Sequence, residues 1–148
     1  MNTRILINKK ESVPIMHKCR PERVGEVMTE KEIHDFGLDL LIVYLYYQKG
    51  KLISANTNMS NDYPHLVAKN PNGELLYIWT KTEMFPNIPK VGSFNNSEAA
   101  IALSKQFNAI PVFAGIILKC ASAKEYDIPI CGSQYIAEFT GFKAIGIV

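Results

Sequence analysis

The sequence predicts an α/β domain in which a central mixed β-sheet is flanked by helices. Three stretches of the 148-residue chain indicate this class. An amphipathic helix is predicted over 29–50, two β-prone runs joined by a tight turn lie over 64–82, and a nearly continuous apolar run covers 110–119. An apolar run of this kind is typical of a strand that is covered on both faces of its sheet.

The composition fits one globular domain, which is what a chain of this length predicts. With 47% hydrophobic and 20% charged residues, a chain disordered throughout is excluded. The formal net charge of +2 is too small to indicate nucleic acid by itself. No long apolar run and no secretory signal occur, so we expect a cytoplasmic protein without a membrane span.

The cysteines and histidines show no metal-ligand spacing. The cysteines are odd in number and form no CxxC or CxC pair, which argues against a disulfide framework or a zinc site. We therefore predict no bound metal and no cofactor, and we expect Cys120 and Cys131 to be core residues. The residues considered are Cys19, Cys120, Cys131, His17, His34 and His65.

Residues 1–28 are predicted to form an N-terminal arm, and 29–148 to form the α/β domain. A short strand is expected at 4–8, whereas Pro14 and Pro21 argue against a helix. The simplest interpretation is a loosely held arm, and the alternative is a basic arm that contacts nucleic acid or a partner chain. Its basic residues include Lys9, Lys10, Lys18, Arg20 and Arg23.

The helix over 29–50 has signals at both ends. Thr29 and Glu32 have the spacing of a capping box, and Gly50 predicts a left-handed C-terminal stop. One apolar stripe is expected to face the sheet. Its members are Ile33, Phe36, Gly37, Leu40, Leu41, Tyr44 and Tyr47.

Further apolar residues of this helix fall outside the stripe, which predicts that the helix is covered on a second side. Either the N-terminal arm or a second copy of the chain could provide that cover, and the tyrosines suit a partly hydrated interface. A homodimer is therefore one expectation. The residues outside the stripe are Leu38, Ile42, Leu45 and Tyr46.

A strand, a polar loop and a hairpin are predicted after the helix. The strand covers 51–56 and the loop 57–63. The hairpin strands are 64–70 and 74–82, joined by Asn-Pro-Asn-Gly at 70–73, which has the chemistry of a tight turn. The second hairpin strand is strongly β-prone and is expected to be central in the sheet.

The remaining predicted elements are a loop over 83–96, a helix over 97–107, a strand over 110–119 and two short strands over 134–139 and 142–148. The helix has a capping pair and an inner face of mostly small residues. These residues are Asn95 with Glu98, and Ala99, Ala100, Leu103 and Phe107.

Pro64-His65 begins one hairpin strand, and Trp79-Thr80-Lys81 lies on the next. This arrangement, with the order of elements over 29–119, resembles the core of the restriction-endonuclease-like (PD-(D/E)XK) nucleases. Their signature is Pro-Asp at the start of one strand and Glu-x-Lys on the next. The chain is also similar to short uncharacterised bacterial proteins of that layout.

The resemblance implies a degenerate motif. Nucleases of this fold use carboxylates to hold divalent cations, and here His65 and Trp79 stand at the carboxylate positions while Lys81 is retained. Neither indole nor imidazole replaces a carboxylate for Mg²⁺. We therefore predict no catalytic residues and a non-catalytic binding or assembly module, with nucleic acid as the ligand suggested by the fold.

Candidate contacts to nucleic acid are Lys69, Trp79 and Lys81, although Trp79 in a β-prone run is more simply explained as a core residue and the two lysines are equally explained as solvated edge residues. Two alternatives remain open. The first is a divergent metal-dependent nuclease in which other acids have moved towards Lys81, and the second is a purely protein-interacting homodimeric subunit. The acids considered are Asp62, Glu74 and Glu83.

Overall fold

A computed structural model describes residues 14–90, 97–121 and 128–146. Within these residues six strands form one mixed, curled half-barrel sheet in the order β1-β6-β5-β4-β3-β2, accompanied by two helices. The prediction of a mixed α/β fold is therefore confirmed. The strands are β1 (Ile15–Met16), β2 (Lys51–Ala55), β3 (Leu66–Lys69), β4 (Leu75–Met84), β5 (Ile110–Cys120) and β6 (Gln134–Ala144), and the helices are α1 (Glu30–Tyr47) and α2 (Ser97–Gln106).

The strands β2, β3 and β4 form an antiparallel meander, and α2 then connects β4 to the parallel strand β5. The tight turn at 70–73 is confirmed, because Gly73 N–H donates to Asn70 O over 2.9 Å and Gly73 has a φ of 84°. β4 lies between β3 and β5 and is therefore central, as predicted. β3 is shorter than the predicted strand, which leaves the end of β4 without a strand partner on that side.

The capping box of α1 is confirmed. Glu32 N–H donates to Thr29 Oγ1 over 3.1 Å, and Thr29 N–H donates to Glu32 Oε1 over 2.8 Å. The same carboxylate accepts two hydrogen bonds from the Arg23 guanidinium, at 3.0 and 2.8 Å. One glutamate therefore caps the helix and ties the preceding segment to it.

The C-terminal end of α1 differs from the prediction. The left-handed residue is Lys49, with a φ of 64°, and not Gly50. Lys49 N–H donates to Tyr46 O and Gly50 N–H donates to Leu45 O, which is a Schellman motif shifted by one residue. Space is tight at Gly50, since a Cβ there would lie 3.2 Å from the carbonyl oxygen of Lys69.

A Lys49→Gly variant is expected to be more stable than the wild type by about 0.5–1 kcal/mol, because glycine adopts the left-handed conformation without the steric cost of a Cβ. Urea unfolding followed by circular dichroism measures the difference. Gln48→Gly is the matched control, since Gln48 has a φ of −83° and should lose stability on the same substitution. A glycine at position 49 that lowers stability would contradict this assignment.

The buried side of α1 is wider than the predicted stripe. Leu38 and Leu45 are buried in the main core, so they belong to the fold of one chain and not to a free outer surface. The curled sheet explains this, because it contacts the helix over a broad arc. Val43 and Tyr46 remain exposed on α1, and the homodimer stays a prediction.

The segment 14–28 contacts the sheet and α1. β1 pairs with β6, His17 N–H donates to Ser133 O over 2.8 Å, and Met28 N–H donates to Pro129 O over 2.8 Å. The His17 ring lies 5.0 Å from the Phe36 ring of α1. Main-chain hydrogen bonds thus hold this part of the predicted arm, while the expected strand at 4–8 lies outside the described residues.

The second half of the chain needs two corrections. The residues of α2 that are buried are Ala100 and Ser104, whereas Ala99 and Phe107 are exposed, so the predicted inner face is rotated. The two short strands predicted near the end are one strand, β6, which is continuous through a register shift opposite β5. The predicted capping residue Asn95 lies outside the described residues.

β5 is buried along most of its length, as its apolar sequence predicts. Cys120 and Cys131 are buried and Cys19 is half-buried, and all three are free thiols. The core expectation for Cys120 and Cys131 is confirmed. Neither helix of the described residues is long and apolar enough to cross a bilayer.

Candidate functional site

A cavity of about 250 Å³ lies at the unpaired edge of β4. β3 pairs with β4 only as far as Ile78, whereas β4 continues to Met84. The first turns of α1, the loop 57–63 and the segment after β4 close the gap beside this edge. Its polar lining includes Glu30, His34, Asn61, Lys81, Glu83 and Asn87, with Thr80 and Thr82 of β4.

His65 fills the position where β3 stops pairing. Its Nδ1 accepts the backbone N–H of Thr80 over 3.0 Å, so in the neutral ring Nε2 carries the proton. The side chain is only 1% exposed. Burial lowers the pKa of His65 to about 4, and the neighbouring His34 ring acts in the same direction. His65 is therefore a neutral hydrogen-bond donor at neutral pH.

His34 of α1 packs against this ring. The two ring centroids are 4.7 Å apart and the rings meet edge to face at 70°. Burial lowers the pKa of His34, and the charges of Lys31 and Lys81 contribute more weakly in the same direction, against Asp35. The pair is thus a neutral imidazole cluster between α1 and the edge of β4.

Polar atoms around this cluster lack hydrogen-bond partners within the described residues. They are Nε2 of His34 and Oγ1 of Thr82. His34 and Thr82 also line the cavity, with exposures of 5% and 6%. Buried polar atoms of native proteins are normally satisfied by protein groups, water or a ligand. The β4-edge cavity is therefore suited to a small polar group.

In the structure, the candidate residues named from the sequence do not lie together at one site. Lys81 is exposed and lines the cavity, and His65 lies behind it. Trp79 is 0% exposed, packs against Phe113, and donates its indole N–H to Asn61 O over 3.0 Å. Stacking of a ligand base on Trp79 would therefore require the indole to leave the core.

Lys69 lies at the other end of the hairpin. Its partner in the sheet is Leu75, so Lys69 and Lys81 are separated by about 20 Å along β4 at about 3.3 Å per residue. The two lysines therefore do not form one compact phosphate site.

The acids considered as relocated ligands are also dispersed. Glu83 lines the cavity beside Lys81, but Glu74 accepts a hydrogen bond from the Asn70 side chain at the hairpin turn. Asp62 is exposed in the loop and is not part of the lining. Glu30, which the sequence reasoning did not consider, lines the cavity from the first turn of α1.

His34 was also missed as a site residue. The signal that could have found it is its place on the buried face of α1, one turn before Leu38 and in line with Leu41 and Leu45. A polar residue on a helix face that is otherwise apolar needs a polar partner in the core. His65 meets it there from β3.

The histidine pair does not fit the magnesium ion that the resemblance to nucleases implies. A metal-binding histidine directs a lone pair at the metal and donates its other N–H, whereas Nδ1 of His65 already accepts from Thr80. Mg²⁺ requires oxygen ligands, and imidazoles do not supply them. Within 14–90, 97–121 and 128–146, no group of three or more His, Cys, Asp or Glu residues is arranged to hold a metal.

The fold and the cavity define a mixed α/β domain with a polar site at an unpaired strand edge. The chain belongs to the family described as Domain of unknown function (DUF8840), whose family model matches residues 31–145. That match begins in α1 and ends just after β6, so it includes every residue that lines the β4-edge cavity except Glu30. No curated protein matches the chain.

Proposed function

We propose that the protein is a non-catalytic member of the restriction-endonuclease-like fold that acts as a nucleic-acid-binding module. The order α1-β2-β3-β4-α2-β5, with a hairpin followed by a helix and a parallel strand, supports the resemblance in fold. Fold alone does not determine function, so the choice of binding over cleavage is argued from the chemistry of the site.

The neutral histidine pair at the edge of β4 carries this proposal. Pro64-His65 stands where the nucleases have Pro-Asp, and the buried ring is directed at Thr80 N–H and His34. This arrangement stabilises the strand edge and supplies no charge to neutralise a divalent cation. Lys81 keeps a cation at the mouth of the cavity, where it can contact a phosphate.

Fluorescence anisotropy with labelled single- and double-stranded DNA and RNA tests the proposal, at low and physiological salt, with Mn²⁺ added afterwards. We expect binding that weakens as salt rises, without cleavage. Lys81→Ala should weaken binding severalfold and reduce the dependence on salt by about one phosphate contact. Lys69→Ala is the matched control, because Lys69 is remote from the cavity.

Two outcomes would contradict the proposal. Mn²⁺-dependent cleavage that is lost in Glu83→Ala or Glu30→Ala would establish the divergent nuclease instead. Absence of binding even at low salt would favour the protein-interacting homodimer. In that case light scattering should detect a dimer that a charge at Tyr46 on the exposed side of α1 disrupts.

A further inference from the structure

We infer that the nucleic acid bound is single-stranded, with one unpaired base inserted in the β4-edge cavity and a neighbouring base stacked on Tyr63. This inference rests on the proposed function and specifies its ligand. It follows from the size of the cavity, its chemistry, its unpartnered buried atoms and the exposed tyrosine on a segment that closes it.

The size of the cavity favours a single group over a duplex. A volume of about 250 Å³ closed by α1, the loop 57–63 and the segment after β4 admits one small polar group. The bases of a duplex are stacked and paired, and extruding one costs a few kcal/mol. The bases of a single strand are already available to stack or to bind in a pocket.

The chemistry of the lining matches a base better than a phosphate. The Asn61 and Asn87 side chains can donate and accept hydrogen bonds, while Glu30 and Glu83 only accept. Base edges present donors and acceptors together, whereas a phosphate presents acceptors and negative charge. A phosphate inside the cavity would be repelled by both carboxylates, so we place the base inside and the phosphate at Lys81.

The buried atoms supply an independent observation. Nε2 of His34 and Oγ1 of Thr82 belong to side chains that line the cavity, are more than nine-tenths buried and have no hydrogen-bond partner among the described residues. Oγ1 of Thr82 faces Gly37 of α1, so Nε2 of His34 is the atom that a base edge in the cavity would satisfy. The cost of leaving this atom unsatisfied would then be recovered on binding.

An exposed aromatic side chain lies on one of the segments that close the cavity. Tyr63 is 64% exposed and follows the lining residue Asn61 by two positions. Exposed aromatic rings combined with positive charge, which Lys81 supplies here, are typical of surfaces that bind single strands by stacking.

Affinity measurements on three short probes test the inference: oligothymidine, its duplex with oligoadenine, and an oligomer of abasic nucleotides with the same number of phosphates. The wild type should bind oligothymidine at least about tenfold more tightly than the other two, because base stacking contributes to affinity and the abasic strand has no base. Tyr63→Ala should weaken binding of oligothymidine about tenfold and leave binding of the abasic strand unchanged.

Matched variants separate the site from general surface effects. Tyr46→Ala is the control for Tyr63→Ala, because Tyr46 is 73% exposed on α1 and does not line the cavity. Asn87→Trp, which should obstruct the cavity, is paired with Ile88→Trp at the neighbouring exposed position. Thermal unfolding of each variant shows whether it remains folded.

The outcomes distinguish a failure of the single-strand inference from a failure of the proposed function. Equal affinity for oligothymidine and the abasic strand, or tighter binding of the duplex, would overturn the single-strand inference while the proposed nucleic-acid function stands. Equal losses in Tyr63→Ala and Tyr46→Ala, or in Asn87→Trp and Ile88→Trp, would also overturn it. Absence of salt-sensitive binding to any probe would overturn the inference and the proposed function together.

Discussion

A Gly37→Ala variant is expected to lose about 2–3 kcal/mol of unfolding free energy through overpacking. A Cβ at position 37 would overlap the Thr82 hydroxyl and would lie 2.8 Å from Thr82 Cβ and 2.9 Å from Thr82 Cγ2. In an exposed helix the same substitution stabilises by about 1 kcal/mol, so the sign of the effect is diagnostic. The contact between α1 and β4 at this point positions His34 against the edge of β4.

Urea unfolding of four proteins measures this effect: the wild type, Gly37→Ala, Thr82→Ala and the double variant. Thr82→Ala removes the hydroxyl and the Cγ2 methyl group, so the double variant should recover part of the stability lost in Gly37→Ala. The remaining loss reflects the Cβ of residue 82. A Gly37→Ala variant as stable as the wild type would show that α1 does not pack this closely on β4.

Acidification from neutral pH towards pH 4 is expected to remove roughly 3 kcal/mol of unfolding free energy through His65 alone. Its pKa is lowered by burial from 6.5 to about 4. Between these values the unfolded chain binds a proton that the folded chain does not, so stability falls as pH falls. Burial also lowers the pKa values of His34 and His17, which act in the same direction.

His65→Asn should reduce the slope of unfolding free energy against pH between pH 5 and pH 7. Asparagine can still accept a hydrogen bond from Thr80 N–H, but it does not titrate in this range. His17→Asn is the matched comparison, because Nδ1 of His17 also accepts a backbone N–H, from Gly132 over 3.1 Å. Equal slopes for the wild type and His65→Asn would contradict the buried neutral state of His65.

Between pH 5 and pH 7, the Glu32 carboxylate contributes little to the change of unfolding free energy with pH. The Arg23 guanidinium and Thr29 N–H hold the pKa of Glu32 well below its usual range. Its stabilising contribution is therefore present above the ordinary pKa of a glutamate and is lost only at lower pH. The slope between pH 5 and pH 7 therefore contains little contribution from Glu32.

Features that depend on neighbouring residues could be predicted from the sequence. The capping box of Thr29 and Glu32, the turn at 70–73 and the burial of β5 all follow from contacts within a few positions or from a continuous apolar run. Each of these features depends on hydrogen bonds or apolar residues that lie close together in the sequence. The element order, and with it the mixed α/β class, follows from these features.

The sequence predictions were wrong where a local pattern was compatible with two different structures. Gly50 indicated the end of α1 correctly, but only the structure shows that Lys49 takes the left-handed conformation and that Gly50 lies close to the Lys69 carbonyl. In the same way, periodicity predicted an amphipathic α1 but could not show that the curled sheet also buries Leu38 and Leu45. Helix periodicity gives the spacing of buried residues, whereas the partner surface determines how wide the buried arc is.

The tertiary structure determines which residues form the candidate site. Lys81 could be selected from its place in the motif, but His34 is 31 positions from His65 and meets it only because α1 packs over the edge of β4. The early end of β3 opens the cavity, and it depends on the side chain of His65 replacing a strand partner at Thr80 N–H. The sequence by itself determined the elements and their order, because these depend on local hydrogen bonds and hydrophobic spacing. Strand register and helix packing alone determined which polar groups meet, because those contacts join residues that are far apart in the chain.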